Sequence, residues 1–216
     1  MKYTHIIWDF NGTILDDVQI GIDSVNVMLE KRSLPTIEST DKYKELFGFP
    51  IIDYYRRCGF DFERDDYEST LAPEWVAEYN NREDKAVLCK GIKYALDKFK
   101  QAGVSQSIVS ASSSDILRRQ IERLGISEYF ECVIGCDNIY AYGKEDALCR
   151  YVSSLSSEHL PLMVGDTTHD SEVAKAAGID CVLLLCGHMN EETLKLTGCA
   201  LYSDAEELAK DLIENI

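Results

Sequence analysis

HIIWDFNGTILDD, residues 5–17, is an apolar run that ends on a carboxylate, Asp9, and then turns at Asn11-Gly12. A continuous apolar run bounded by turn residues reads as a strand buried on both faces. A carboxylate at the carboxyl end of such a strand sits in the crevice where open α/β sheets bind ligands. Asn-Gly also favours hairpin turns, but the residues after it are helical in pattern rather than a second alternating strand. An EF-hand is excluded, because Gly12 comes too early after Asp9.

The same pattern recurs downstream. SIVSA (107–111), ECVIGC (131–136), LMVGD (162–166) and CVLLLC (181–186) are strand candidates, each leading into a helix-like stretch. Helices are predicted over 115–124, 145–155, 170–177, from about 191, and over 205–216, with a short ALYS strand at 200–203. Such alternation gives an α/β fold with a parallel sheet covered on both faces. Residues 17–87 read differently. Ile22, Val25 and Leu29 fall at near-helical spacing, and Gly48, Pro50, Gly59 and Pro73 interrupt further helical stretches. The expected organisation is an α/β core of 1–16 and 88–216 with a helical insertion at 17–87.

Composition narrows the function. The chain has 216 residues, 45% hydrophobic and 28% charged, which suits a folded globular protein. It has no apolar run of the roughly 18 residues that a membrane helix needs. Lys plus Arg number 22 against 38 Asp plus Glu, a net charge of −16. So acidic a chain repels nucleic acid and anionic lipid. A phosphate substrate would then need local positive charge, from a metal or a few placed cations. The eight cysteines form no C-x-x-C pair and read as small buried hydrophobes in a reducing cytosol. No signal-peptide core precedes Asp9, so a cytoplasmic location is expected.

A second carboxylate group lies in Gly165-Asp166-Thr167-Thr168-His169-Asp170, again at a strand end. Asp166 would point into the crevice. Asp170 would lie in the first helical turn, facing the same way or serving only as a cap. Asp9, Asp166 and Asp170 converging on one crevice would repel unless a cation joined them, and all-oxygen ligands suit Mg²⁺. The Ser110 hydroxyl and nearby backbone N–H groups could bind phosphate oxygens, although SASSSD is also a good helix-capping sequence. Lys144 could supply an ammonium, although a lone Lys near a turn is commonly just solvated.

The ordered set Asp9-x-Asn11-Gly12-Thr13, Ser110, Lys144 and Gly165-Asp166…Asp170 resembles the four motifs of the haloacid dehalogenase-like hydrolases. The resemblance covers essentially the whole chain, and the insertion is similar to the helical cap of phosphoglycolate phosphatase-like members. It implies a Rossmann-like three-layer core with strand order 3-2-1-4-5 and an inserted α-helical cap domain. It implies a phosphatase acting on a small phosphorylated metabolite. Asp9 would be the nucleophile that forms an aspartyl-phosphate. The metal, Mg²⁺, would be held by Asp9, the Asn11 backbone carbonyl and Asp166, with Asp170 behind them on a metal-bound water. Thr13, Ser110, Ala111 and Lys144 would bind substrate, with Asn11 and Lys144 also counted as catalytic. Lys42, Lys44, Tyr54, Tyr55, Arg56 and Arg57 are cap polar groups that could face the site, although the surface is the expected place for each.

One departure matters. The family's phosphatases usually carry Asp two residues after the nucleophile, as general acid and base, and this chain has Asn11. Asparagine keeps the carbonyl but neither gives nor takes a proton, and positioned acid–base catalysis is worth about 10²–10⁴-fold. His169 is a candidate substitute, with an ordinary pKa of about 6.5, unless it is a solvent-facing residue at a helix start. The alternatives are a catalytically weak protein that serves in binding or regulation, or an enzyme for an activated leaving group such as an acyl phosphate or a phosphonate. Dehalogenation would leave Asp166 without a role. A signalling receiver would carry its reactive Asp on the third strand and no insertion, whereas Asp9 is on the first.

Overall fold

A computed structural model describes residues 2–137, 140 and 143–214. Its strands are β1 (His5–Trp8), β2 (Leu15–Asp16), β3 (Val87–Leu88), β4 (Ser105–Ser113), β5 (Cys132–Cys136), β6 (Pro161–Gly165), β7 (Asp180–Leu184) and β8 (Ala200–Tyr202). Six of them form a parallel sheet in the order β5-β4-β1-β6-β7-β8. This is the 3-2-1-4-5 order that the family resemblance implies, extended by the ALYS strand at one edge. β1 is central, with Trp8 level with Ile108 on one side and Val164 on the other. Every predicted strand lies within two residues of its expected bounds.

Period-two alternation sends neighbouring strand residues to opposite faces, and here both faces are covered. The helices that come after β3 are α5 (Ile92–Gln101), α6 (Ser114–Arg123), α7 (Lys144–Ser154), α8 (Thr168–Ala176), α9 (Glu191–Lys195) and α10 (Ala205–Glu214). Ile6, Trp8, Ile108 and Val164 pack with Leu96 and Phe99 of α5, Leu117 of α6 and Leu208 of α10. Ile7, Val109 and Met163 pack with Leu148 of α7 and Val173 of α8. That explains why β1 reads as continuously apolar. The last two residues of the helix predicted over 205–216 lie outside the described residues.

The helices before β3 are α1 (Val18–Lys31), α2 (Thr40–Leu46), α3 (Ile51–Arg57) and α4 (Ala72–Asn80). In α1 the buried apolar residues Val18, Ile22, Val25 and Leu29 recur at i, i+4, i+7 and i+11, one helical stripe. They join Tyr43, Tyr54, Tyr55, Phe60, Tyr67 and Leu71 in an apolar cluster of their own. The antiparallel pair β2–β3 lies where this segment leaves and rejoins the sheet. Among the described residues no helix is long and apolar enough to cross a membrane. The cysteines are thiols, with Cys58, Cys89 and Cys136 buried and the rest half-buried.

β1 begins on a histidine with no exposure. His5 meets the Ser105 hydroxyl through Nδ1 and the Tyr151 hydroxyl through Nε2 at 3.1 Å, with the His159 ring 5.4 Å away. Burial, reinforced by His159, pushes its pKa down to about 4. The unfolded chain therefore takes a proton near pH 6.5 that the folded one refuses. The stability His5 contributes is complete above pH 6.5 and is lost as pH falls toward 4. Urea denaturation of wild type and His5→Asn should show a stability gap that narrows over that window by up to about 3 kcal/mol. A gap that does not change with pH would contradict this.

Candidate active site

Asp9 directly succeeds β1 and Asp166 directly succeeds β6, so two neighbouring parallel strands deliver carboxylates to the same sheet edge. Asp170 joins them from the first turn of α8. Oxygens of all three lie within 4.8 Å of one another, and all three residues are buried. Ser110, Ala111 and Ser112 reach the same edge, where the β4–β5 register shifts between Val109 and Ser113.

Lys144 is the first residue of α7 and is only 3% exposed. A cation at a helix N-terminus opposes the helix dipole, at a cost of about 0.3–1 kcal/mol. Burying it costs several kcal/mol more. Local preferences would therefore expel it. It stays because its Nζ donates to Asp9 Oδ1 and to Asp170 Oδ1, each at 2.5 Å. Burial alone would lower its pKa, but Asp170 and Asp9 outweigh burial and raise it.

The other oxygen of Asp170, Oδ2, accepts from the N–H groups of Asp166 (3.1 Å) and Thr167 (3.0 Å) and from the Thr167 hydroxyl (2.7 Å). Thr167 returns the contact to the Asp170 N–H, so the pair caps α8 reciprocally. Asp170 is thus both a helix cap and the anchor of Lys144. Asp166 Oδ1 accepts from the Thr13 hydroxyl at 2.9 Å, and its Oδ2 from the His188 N–H at 2.7 Å. Thr13, expected to bind substrate, is instead fully buried with its hydroxyl turned onto Asp166 and is absent from the cavity wall. Gly12 makes the close approach possible. Its φ is +72°, and a Cβ there would lie 2.4 Å from Asp166 Oδ2.

Asn11 occupies a polar network the sequence did not disclose. Its Nδ2 donates to Asp17 Oδ2 at 2.6 Å and to the Tyr79 hydroxyl at 3.1 Å, and its Oδ1 accepts from the Ser112 hydroxyl at 2.5 Å. The Tyr79 hydroxyl donates to Asp17 Oδ2 at 2.7 Å, and His188 Nε2 lies 3.2 Å from Asp17 Oδ1. Burial works against the charge on Asp17, but His188, Asn11 and Tyr79 hold its pKa below the usual carboxylate value. Burial likewise opposes a charge on His188, yet Asp17, with Asp166 and Asp9, pushes its pKa up to about 9. A signal for His188 was present: like Asp9 and Asp166, it lies just beyond an apolar strand run. Asp17 closes the opening stretch, but nothing local marks it as the partner of a histidine 171 positions away. His169, the candidate proton donor, lines the cavity and stacks on Phe49 with ring centroids 4.6 Å apart.

Four carboxylates, Asp9, Asp17, Asp166 and Asp170, are buried together with two cationic groups, Lys144 and His188. Two negative charges are left over, the charge that one divalent cation would balance. Without it the excess appears in proton affinity. Burial pushes Asp9 up to about 7 despite Lys144, with Asp170 and Asp166 adding to the push, and it pushes Asp166 up to about 6.

A cavity of about 180 Å³ opens on this cluster. Asp9, Asn11, Ser110 and Lys144 line one end, and the helical segment supplies aromatic side chains. Tyr54 and Tyr55, expected at the surface, are buried in its wall, and the Tyr54 hydroxyl has no hydrogen-bond partner. Arg56, Arg57 and Lys42 are exposed, as expected, and Lys44 is half-buried.

Comparison with known proteins agrees with this geometry. The family model described as haloacid dehalogenase-like hydrolase matches residues 6–184. PpaX, a candidate pyrophosphatase of Caldanaerobacter subterraneus subsp. tengcongensis, is 26% identical over 199 residues, covering 90% of this chain and 87% of that protein. A phosphoglycolate phosphatase of Pseudomonas syringae pv. tomato is 23% identical over 191 residues, covering 85% and 70%. The solved structure of protein tyrosine kinase A (PtkA) of Mycobacterium tuberculosis superposes with a TM-score of 0.81 at 23% identity, covering 98% of this chain and 99% of that one. At that identity the likeness speaks for the fold alone.

Removing Lys144 should be felt first as lost stability. Lys144→Met leaves Asp9 and Asp170 buried without their cation, and breaking a buried pair in this way costs about 3–5 kcal/mol. Chemical denaturation should show that loss at pH 7 and a smaller one at pH 5, where Asp9 takes a proton. A loss below about 1 kcal/mol at both pH values would mean that the ammonium is not what compensates these carboxylates.

Proposed function

The chain belongs to the haloacid dehalogenase-like hydrolases, and we propose that it is a Mg²⁺-dependent phosphohydrolase that works through an aspartyl-phosphate on Asp9. The observation that carries this reading is the excess of two buried negative charges around a carboxylate that already touches an ammonium. The donor set fits the metal, since buried carboxylates and a backbone carbonyl are the hard oxygen ligands Mg²⁺ prefers. The Asp9 and Asp166 side chains and the Asn11 carbonyl would hold it. When bound, Mg²⁺ supplies positive charge against both the carboxylates and the phosphoryl oxygens.

In this reading the chain's own residues divide the work. Asp9 attacks phosphorus with its carboxylate. Lys144, beside it, lowers the repulsion between that carboxylate and a phosphate dianion. The Ser110 hydroxyl, which accepts from the Ser112 N–H at 3.1 Å, and the Ala111 backbone hold phosphoryl oxygens. Asp170 acts indirectly, fixing Lys144 and the 166–167 backbone. Thr13 orients Asp166. The helical segment serves as a cap that excludes water, and the substrate is a small phosphorylated molecule.

The expected outcomes are sharp. Asp9→Asn should abolish turnover of every phosphate ester while leaving the circular dichroism spectrum unchanged. EDTA should abolish wild-type turnover and Mg²⁺ should restore it. Metal-independent hydrolysis, or an active Asp9→Asn protein, would overturn the proposal.

Asn11→Asp probes the missing acid. The new carboxylate would meet Asp17 at about the 2.6 Å now spanned by the amide, so one of the two must keep a proton. The variant should gain up to about 10²-fold with alkyl phosphates, most clearly at acid pH, and little with aryl phosphates. An unchanged alkyl-to-aryl ratio from pH 5 to 8 would mean that leaving-group protonation does not limit the rate.

A further inference from the structure

Resting on the phosphohydrolase reading, we infer that the physiological leaving group is an uncharged aromatic ring, so that the substrate is an aryl phosphate monoester. The first argument is the wall of the cavity beyond the phosphoryl end. Phe47, Phe49, Tyr54, Trp75 and Ile116 supply aromatic and aliphatic surface there. Among the described residues of the wall, Lys144 is the only Lys or Arg, and Asp9 and Asp170 already hold it.

The neighbouring cations are engaged elsewhere. Arg32 is paired with Asp65 and Glu74, Lys31 with Glu74 and Glu78, and Arg56 with Asp53, while Arg57 donates to the Leu46 carbonyl. A leaving group bearing its own phosphate or carboxylate would be desolvated beside Asp9 and Asp17, and the two cationic groups of the wall, Lys144 and His188, already face Asp9, Asp170 and Asp17. An aromatic ring has no such penalty and stacks on the aromatic wall.

The second argument is chemical and independent of the wall. Asp9 attacks phosphorus, the bond from phosphorus to the ester oxygen breaks, and the electron pair leaves on that oxygen. Water then attacks the phosphorylated Asp9, the bond from phosphorus to Asp9 breaks, and phosphate departs. The proton released from water balances the one the leaving oxygen takes up from solvent. Asn11 cannot protonate that oxygen as it leaves. A phenol, with a pKa of about 10, departs as its anion. An alkoxide is far more basic, comparable to hydroxide, whose parent acid has a pKa of about 15.7.

The test uses the wild-type chain with Mg²⁺ and four substrates: phenyl phosphate, benzyl phosphate, phosphoglycolate and acetyl phosphate. Phenyl phosphate should have the highest kcat/KM. Benzyl phosphate, which has the ring but an alkoxide leaving group, should share its KM and lose kcat by about 10²-fold or more. By calorimetry phenylphosphonate should bind about 10- to 100-fold more tightly than methylphosphonate, from ring burial. Ile116→Arg, which adds a cation to the wall, should improve kcat/KM for phosphoglycolate by about tenfold. Preference for phosphoglycolate or acetyl phosphate, or equal binding of the two phosphonates, would overturn the aryl inference while leaving a phosphohydrolase in place. Failure to hydrolyse any of the four would overturn the phosphohydrolase reading and this inference with it.

Discussion

The Lys144 ammonium between Asp9 and Asp170 is the contact on which the rest of this structure is arranged. It fixes three elements at once: the end of β1, the start of α7 and the first turn of α8. None of the three side chains would be stable where it is without the others. A buried ammonium at a helix N-terminus is disfavoured by the dipole and by desolvation, and two carboxylates in contact range repel. Replacing the triad with apolar residues of similar volume is the change expected to leave the fold intact or firmer. Its presence is therefore better explained by chemistry at the strand ends than by stability.

A second polar chain runs from the same site into the helical segment. The Tyr79 hydroxyl from α4 donates to Asp17, and the Tyr43 hydroxyl from α2 lies 2.8 Å from His188 Nδ1. Asp17 in turn holds Asn11 and the Gly12 N–H, the latter at 3.0 Å. The segment is thus hydrogen-bonded to the turn that follows Asp9, and not merely laid over it. Lifting it would break the contacts of Tyr79 and Tyr43 and rehydrate Asp17 and His188. This couples the position of the helical segment to the electrostatics around Asp9.

Much of this was legible in the sequence, for a definite reason. Strands covered on both faces read as unbroken apolar runs, and ligand-binding residues gather where such runs end, so Asp9, Asp166 and the region of Ser110 could be located one by one. Asp170 and Lys144 could be placed at helix starts, but only the fold brings them together. What stayed hidden depends on contacts distant in sequence. Thr13 and Asp17 belong to the same stretch as Asp9, yet their partners are Asp166 and His188. Tyr54 and Tyr55 belong to a seven-residue helix, α3, too short for its pattern to tell a buried face from an exposed one. Tyrosine suits either place, because it pairs an apolar ring with a polar tip.

The two ends of the cavity answer to different physical demands, and Asn11 stands where they meet. At the strand ends every group serves charge: carboxylates, an ammonium, hydroxyls and backbone N–H groups. Where the helical segment lines it the wall is mostly apolar, and an uncompensated charge there would be costly. An aspartate at position 11 would set a second carboxyl against Asp17, so that either a charge is added or a proton is held there. The amide keeps the carbonyl and donates a neutral contact to Asp17, so it adds no charge to a group that already carries two in excess. An acid is thus absent at the boundary between the two ends. On the proposed phosphohydrolase reading, a site built this way would favour leaving groups that depart without a proton and carry no charge of their own beyond the bond that breaks. The aromatic lining and the missing acid are then two consequences of one restriction, the small amount of positive charge this acidic chain brings to the crevice.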